Sequence, residues 1–339
     1  MNKYNVAVVG AGAVGIEMLR VLRQRNFPVA QLKVLARSDR DINVDGQTYH
    51  VEPITAQSFE GMQIALFAGT EGEKGAAVTF ADEAVKRGCI VIDNGADFRM
   101  EKDVPLVVPE VNGKDVKLAK KGRGIIANPN CSTIQMVVAL APIHKMSKIK
   151  RVIVSTYQAA SGAGSKAVDE LFAQTKDVLD GKPAVPQALS KRIAFNIFPH
   201  IGSFAENDFT SEEWKMILET QKIMHDDKIK VSATTVRVPV KNGHSESLYL
   251  ETEKPLDIKK VKAALKKASG IIIVDDLKTA SYPMPIDADG KDEVFVGRIR
   301  KDPFNPKGIW LWVVADNLRK GAASNAVQIA EELVTQRLI

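Results

Sequence analysis

Cysteine is scarce in this chain: Cys89 and Cys131 are the only two in 339 residues. That excludes a disulfide framework and points to a reducing compartment, the cytoplasm. No Cys/His pairs stand at ligand spacing, so no metal site is expected. Aromatic residues make up only 6%. No basic cluster is interleaved with them, which argues against nucleic acid as a partner despite the net charge of +6. No apolar run reaches the roughly 18 residues needed to cross a bilayer. Met1-Asn2-Lys3-Tyr4-Asn5 leads straight into a strand pattern without the apolar region of a secretory signal. Internal repeats and low-complexity stretches are also missing.

The hydrophobic fraction of 45% and the charged fraction of 26% are those of an ordinary globular chain. Its length favours two domains over one core. The N-terminal third alternates strand and helix patterns: strands at 4–10, 31–36, 64–68 and 89–93, and helices at 16–25 and 76–87. Such alternation predicts a doubly wound parallel sheet of the Rossmann type. After Cys131 the pattern changes. Strands at 151–157, 232–239, 247–252 and 271–274 alternate irregularly with helices at 166–180, 212–224 and 258–268. This reads as a second, α+β domain with a mixed sheet. An amphipathic helix at 321–338 is expected to return to the first domain. The expected division is therefore 1–130 with 320–339, and 131–319.

Gly10-Ala11-Gly12-Ala13-Val14-Gly15 matches the dinucleotide fingerprint Gly-x-Gly-x-x-Gly. It follows the first strand and opens a helix, the context that gives the motif its meaning. Gly10 permits the tight turn, Gly12 lets backbone approach a pyrophosphate, and Gly15 allows close helix–strand packing. An NAD site usually carries an acid after the second strand. Here Arg37 and Ser38 stand there instead, suited to a 2′-phosphate, so NADP is the expected cofactor. Asp39 and Asp41 lie close by. Taken alone, Arg37 and Arg40 also read as exposed loop charges.

Cys131 is the candidate nucleophile. An apolar run ends in Asn128-Pro129-Asn130, and a helical pattern begins at the cysteine. A helix N-terminus carries about +0.5 charge and free N–H donors, which favour the thiolate. Cys89 lies inside an apparent buried strand.

With these residues in place, the chain resembles the aspartate-semialdehyde dehydrogenase family. The likeness covers nearly the whole length. It rests on the glycine motif, Asp93-Asn-Gly-Ala-Asp-Phe-Arg99, Val108-Pro-Glu-Val-Asn112 and Asn128-Pro-Asn-Cys-Ser-Thr133. It continues through Ser155-Thr-Tyr-Gln-Ala-Ala-Ser-Gly-Ala-Gly164, Ile193-Ala-Phe-Asn196, Glu213-Trp-Lys-Met216 and Glu219-Thr-Gln-Lys222. Arg237-Val-Pro-Val-Lys-Asn-Gly-His244 and Asp316-Asn-Leu-Arg-Lys-Gly-Ala-Ala323 complete it. The loop 67–74 and Asn94-Gly95-Ala96 depart from the commoner pattern.

The resemblance implies NADP-dependent, reversible interconversion of 4-phospho-aspartate with aspartate 4-semialdehyde and phosphate, feeding lysine, threonine and methionine synthesis. It implies a thioester on Cys131, His244 as the acid–base group, and Gln158 orienting the intermediate. It assigns Arg237 to the α-carboxylate, Glu219 to the α-amino group, and Arg99, Lys222 and Asn130 to the phosphate. Thr70, Ser161, Gly162 and Asn317 are carried over as cofactor contacts. A homodimer or homotetramer is implied.

Taken alone, Glu219 and Lys222 read as a surface ion pair, and His244, after Asn242-Gly243, as an exposed loop histidine. His50, His144, His200 and His225 lack matching neighbours. Two other readings remain. N-acetyl-gamma-glutamyl-phosphate reductase shares the cysteine–histidine logic but takes a substrate with no free amine. A non-catalytic paralogue acting as a binding protein would not need Cys131 with His244 and Gln158.

Overall fold

The computed structural model describes residues 2–69 and 75–339. The chain forms two compact units, Met1–Asn130 with Gly321–Ile339, and Cys131–Lys320.

The first unit opens with β1 (Tyr4–Val9), α1 (Ala13–Gln24) and β2 (Val29–Ala36). A hairpin follows, β3 (Arg40–Val44) and β4 (Gln47–Pro53), which the sequence reading lacks. Asp45 and Gly46 turn it with positive φ, the backbone that two-residue hairpins demand. Then come β5 (Ile64–Phe67), α2 (Ala76–Lys86), β6 (Ile90–Asp93), the single turn α3 (Pro109–Asn112) and β7 (Ile125–Ala127). The strands form one sheet in the order β3-β4-β2-β1-β5-β6-β7. Every pairing is parallel except β3 with β4, so the expected parallel sheet carries one antiparallel edge. Strand order reverses at β1. Ligands of such sheets lie beyond the C-terminal strand ends at that point, and Gly10 stands there.

The second unit begins with α4 (Cys131–Met146), then β8 (Ile149–Gln158), α5 (Ser165–Leu179), α6 (Ser211–Met224), β9 (Lys230–Arg237) and β10 (His244–Thr252). It continues with α7 (Ile258–Lys267), β11 (Ile271–Ile273), α8 (Pro285–Ala288), β12 (Val294–Lys301) and β13 (Gly308–Ala315). The last two strands were not read from the sequence. Its sheet runs β11-β12-β13-β10-β8-β9. It is mixed, with β8–β9 and β11–β12 parallel and the other pairs antiparallel. Helix α4 is apolar on nearly every side and buried from Ser132 to Ala141, the pattern of a core helix. It packs on α6, α7 and four strands, which fixes its N-terminus, and therefore Cys131, against the sheet.

The chain then returns to the first unit as α9 (Ser324–Thr335). Ala326, Val327, Ile329, Ala330 and Leu333 are fully buried with Val6 and Val8 of β1 and Met18 and Leu22 of α1. Each large apolar side chain so buried contributes about 1.5–3 kcal/mol relative to exposure. Among the described residues no helix is long and apolar enough to cross a membrane.

Candidate active site

In the first unit the glycine turn builds a cradle. Gly10 adopts φ +106° and donates its N–H to the Leu35 carbonyl at 2.7 Å. A Cβ at Gly15 would lie 1.8 Å from the Gly10 oxygen, so only glycine fits. Gly12 caps α1 in extended backbone with no side-chain cap, and nothing lies within 4 Å of where its Cβ would be. No acid occupies the first turn of α1. The open, uncapped helix start, which begins at Ala13, fits a pyrophosphate. Ala11 and Val14 pack on the core cluster, so they serve through backbone and shape.

Arg37 and Ser38 are exposed just beyond β2. Ser38 Oγ accepts from Arg40 Nη1 at 3.0 Å. The neighbouring acids are turned elsewhere: Asp41 meets His50 Nδ1 at 2.9 Å, and Asp39 meets His50 Nε2 at 3.5 Å. They also raise the pKa of His50, with the Asp41 hydrogen bond foremost. Thr70 lies outside the described residues.

In the second unit three adjacent strands end together. Gln158 closes β8 beside Arg237, which closes β9, and the antiparallel β10 starts at His244. Gln158, Arg237 and His244 are almost wholly buried. Arg237 Nη1 donates to the Ala159 carbonyl at 2.6 Å. His244 Nδ1 accepts the Ala159 N–H at 3.1 Å. Gln158 Nε2 donates to Ser132 Oγ, next to Cys131 at the start of α4, at 2.6 Å. A Cβ on Gly162 would lie 3.0 Å from both His244 Nε2 and Arg237 Nη1, so Gly162 admits those two side chains to one spot. Burial lowers the Arg237 pKa, and the charges of Glu212 and Cys131 oppose that shift. Burial, then Arg237, holds His244 well below its ordinary value. His244 is thus not the exposed loop residue its local sequence suggests.

The carboxylate that joins this cluster is Glu212, which the sequence reading missed. Its Oε1 accepts from Gln158 Nε2 at 3.2 Å, and Lys215 Nζ lies 3.8 Å from its Oε2. Glu212 and Lys215 share the Glu-x-x-Lys spacing of Glu219 and Lys222, two helical turns earlier on α6. The spacing is identical, so only the hydrogen bond from Gln158 at the end of β8 distinguishes Glu212. Glu219 is itself buried, which rules out an exposed surface pair.

Ser161 and Asn317 are built into a buried network. Ser161 Oγ donates to Asn242 Oδ1 at 2.8 Å, and Asn317 Nδ2 donates to Ser161 Oγ at 2.9 Å. Asn317 Oδ1 accepts the Gly243 N–H at 2.9 Å, and Asn242 Nδ2 reaches Asp316 Oδ2 at 2.9 Å. These bonds pin the turn that delivers His244 to β10.

The semialdehyde dehydrogenase NAD binding domain matches residues 5–119, and the semialdehyde dehydrogenase dimerisation domain matches 140–320. The aspartate-semialdehyde dehydrogenase of Aquifex aeolicus is 55% identical, with 99% of each chain covered. That of Legionella pneumophila is 51% identical over 99% of this chain and 97% of its own. The crystal structure of aspartate semialdehyde dehydrogenase II from Vibrio cholerae complexed with ASA superposes with a TM-score of 0.94, at 47% identity and 99% coverage of each chain. The chain belongs to the aspartate-semialdehyde dehydrogenase family.

As a member of that family it is an oxidoreductase with a nicotinamide-dinucleotide-binding domain and a dimerisation domain. Two of the family-derived site residues lie in the first unit. Arg99 is buried, its Nε donating to the Asn128 carbonyl at 3.0 Å and its Nη2 to the Asn94 carbonyl at 2.8 Å. Asn130 is buried at the end of the same segment. The second cysteine differs in kind: Cys89 is buried, and desolvation pushes its thiol up to about 11. Among the described residues no group of three or more His, Cys, Asp or Glu side chains is placed to hold a metal.

Proposed function

We propose that this chain catalyses the reversible conversion of aspartate 4-semialdehyde, phosphate and NADP⁺ to 4-phospho-aspartate, NADPH and a proton, through a thioester on Cys131. One observation carries the site assignment: Gln158, Arg237 and His244 meet at one sheet end, with Ser132 of the Cys131 helix start hydrogen-bonded to Gln158.

The residues divide the work by charge and reach. Cys131 supplies the nucleophile. Arg237 offers a guanidinium fork to the α-carboxylate. Glu212, beside Gln158 and coupled to Arg237, supplies the anion for the α-amino group, with Lys215 next to it for phosphate. This moves those two roles from Glu219 and Lys222 to the earlier pair. Gln158 orients the adduct, and His244 stands beside the reacting atoms. Arg99 and Asn130 are further phosphate ligands by family likeness. Gly10 through Gly15 hold the pyrophosphate, and Arg37 with Ser38 the 2′-phosphate, which makes NADP the preferred form. Ser161, Gly162, Asn317 and Thr70 complete the cofactor contacts. When bound, the nicotinamide accepts or supplies the hydride.

Glu212 favours a substrate with a free amine over the N-acetylated one, because an ammonium offers its carboxylate a charge-assisted hydrogen bond that an acetamide cannot match. The exposed apolar residues Ile153 and Tyr157 on β8 and Phe172 on α5 support self-association as a homodimer or homotetramer. Two free cysteines, one of which must remain a thiol, support function in the cytoplasm.

The test is phosphate-dependent reduction of NADP⁺ with aspartate semialdehyde, run beside NAD⁺ and N-acetyl-glutamate semialdehyde. Rapid turnover with the free-amine aldehyde supports the proposal. Turnover with the acetylated aldehyde alone contradicts it, and no turnover with either favours the binding-protein reading.

A further inference from the structure

Asp316 anchors a chain of buried hydrogen bonds that leads to His244. Ala315, the last residue of β13, stands opposite His244 in register. Asp316 and Asn317 therefore run past the Asn242-Gly243 turn. Asp316 Oδ1 accepts the N–H groups of Leu318 at 2.8 Å and Arg319 at 3.1 Å. Its Oδ2 accepts the Gly290 N–H at 2.8 Å and Asn242 Nδ2 at 2.9 Å. An ionised carboxylate offers about four lone-pair sites, and these donors fill them, so no place is left for a carboxyl hydrogen. Burial pushes the Asp316 pKa up, and the same bonds oppose that push. The Arg319 guanidinium binds Asp292 at 2.9 Å. Neutral N–H donors thus hold the Asp316 charge.

That charge sets the direction of every further bond. Asn242 Nδ2 has two hydrogens, which go to Asp316 Oδ2 and to Asp289 Oδ1, the latter at 2.7 Å. Asn242 Oδ1 is then the atom that faces Ser161, and it accepts from Ser161 Oγ at 2.8 Å. A hydroxyl has one hydrogen. With that hydrogen in use, Ser161 Oγ accepts from Asn317 Nδ2 at 2.9 Å and cannot donate to Asn317 Oδ1, 3.1 Å away. Asn317 Oδ1 is left for the Gly243 N–H at 2.9 Å. Every bond in this relay points back to Asp316, and its far end is the residue before His244.

The turn is also closed from the other side. Ala160 and Ser161 donate their N–H groups to the Val240 and Lys241 carbonyls at 2.8 and 3.1 Å, and Ala159 donates to His244 Nδ1 at 3.1 Å. Gly243 has φ +90°, and a Cβ there would lie 3.0 Å from Pro285 Cβ. The backbone that delivers His244 therefore has one seat, and the relay holds it there.

We propose that Asp316 is a positioning residue for the reaction: its carboxylate orients Asn242, Ser161 and Asn317 so that the turn holds His244 at the reacting atoms. This rests on aspartate-semialdehyde turnover through Cys131. In Asp316→Asn an NH₂ group must face two N–H donors, and the relay loses its fixed direction.

The experiment compares Asp316→Asn with Asp289→Asn in the full-length protein. Both remove a negative charge beside Asn242 Nδ2. Asp289 is exposed, and the bond it accepts from Asn242 is one that an asparagine oxygen can also accept. Asp316→Asn should lower kcat by about 10²-fold, the cost of misplacing a reacting group by about 1 Å. Asp289→Asn should leave kcat nearly unchanged. Amide exchange at Gly243 should be about tenfold faster in Asp316→Asn alone, because its protection reports opening of the turn. Iodoacetamide should label Cys131 at the unsubstituted rate in both variants, since α4 lies outside the relay. Ser161→Ala should add little to the loss in Asp316→Asn, as members of one network are not additive.

An unchanged kcat or an unchanged Gly243 exchange in Asp316→Asn overturns the proposal. So do losses that multiply when Ser161→Ala is added. Cys131 labelling that falls in step with turnover also overturns it, by making Asp316 only a support of the fold. If the unsubstituted chain does not turn over aspartate semialdehyde, the activity assignment fails instead, and Gly243 exchange still decides whether Asp316 holds the turn.

Discussion

Gln158 at the end of β8 donates from one amide nitrogen both to Ser132 Oγ at 2.6 Å and to Glu212 Oε1 at 3.2 Å. The second nucleophile-helix residue and the first-turn acid of α6 therefore share one donor. Glu212→Gln should lower kcat/KM by about 10–100-fold, the worth of a charge-assisted hydrogen bond of about 1.5–3 kcal/mol. Glu219→Gln, two turns further on, should affect thermal stability more than turnover. Steady-state kinetics on the two variants checks this. A larger kinetic loss at Glu219 would return the amino-group role to that residue.

The two cysteines should separate by pH. Burial pushes the Cys89 thiol up to about 11. At pH 8 only about one such thiol in a thousand is a thiolate, the reactive form. Iodoacetamide at that pH should label Cys131 alone and abolish activity in step with labelling. Peptide mass spectrometry showing modification of Cys89 at a comparable rate would refute this.

Gly162 leaves 3.0 Å between its would-be Cβ and both His244 Nε2 and Arg237 Nη1. Gly162→Ala should displace one or both of these buried side chains. Overpacking of this kind costs about 1–3 kcal/mol. Turnover should fall more than dinucleotide affinity does, measured by fluorescence titration. A fall in dinucleotide affinity alone would make Gly162 only a cofactor contact.

Arg37→Ala should weaken NADP by about 10–100-fold, as loss of a charged hydrogen bond of about 1.5–3 kcal/mol predicts, and leave NAD nearly unchanged. With Asp39 and Asp41 drawn to His50, Arg37 faces no competing acid from that pair. Equal losses for both cofactors would reduce Arg37 to a surface charge.

Some of this was legible in the sequence because the residue type itself is the constraint. Gly15 must be glycine at 1.8 Å from the Gly10 oxygen, and Cys131 follows a strand end and opens an apolar helix. The β3–β4 hairpin carried a readable signal, Asp45-Gly46 between alternating residues, but its strands are short and only partly buried. Family resemblance named His244, but its burial was not legible in the local sequence. Asn242-Gly243 announces a turn, and local sequence does not disclose that Asn317, Ser161 and Asp316 draw that turn inside. Nor was Glu212 separable from Glu219, since two equal spacings on one helix differ only in the hydrogen bond from Gln158.

Turnover through Cys131 requires a thioester on its sulfur. The most direct measurement mixes the protein with aspartate semialdehyde and NADP⁺ in the absence of phosphate, following absorbance and then the mass of the Cys131 peptide. The expected result is a burst of about one NADPH per active site, an aspartyl adduct on Cys131, and release of that adduct when phosphate is added. Steady NADPH formation without phosphate, or a burst that leaves Cys131 unmodified, would contradict it.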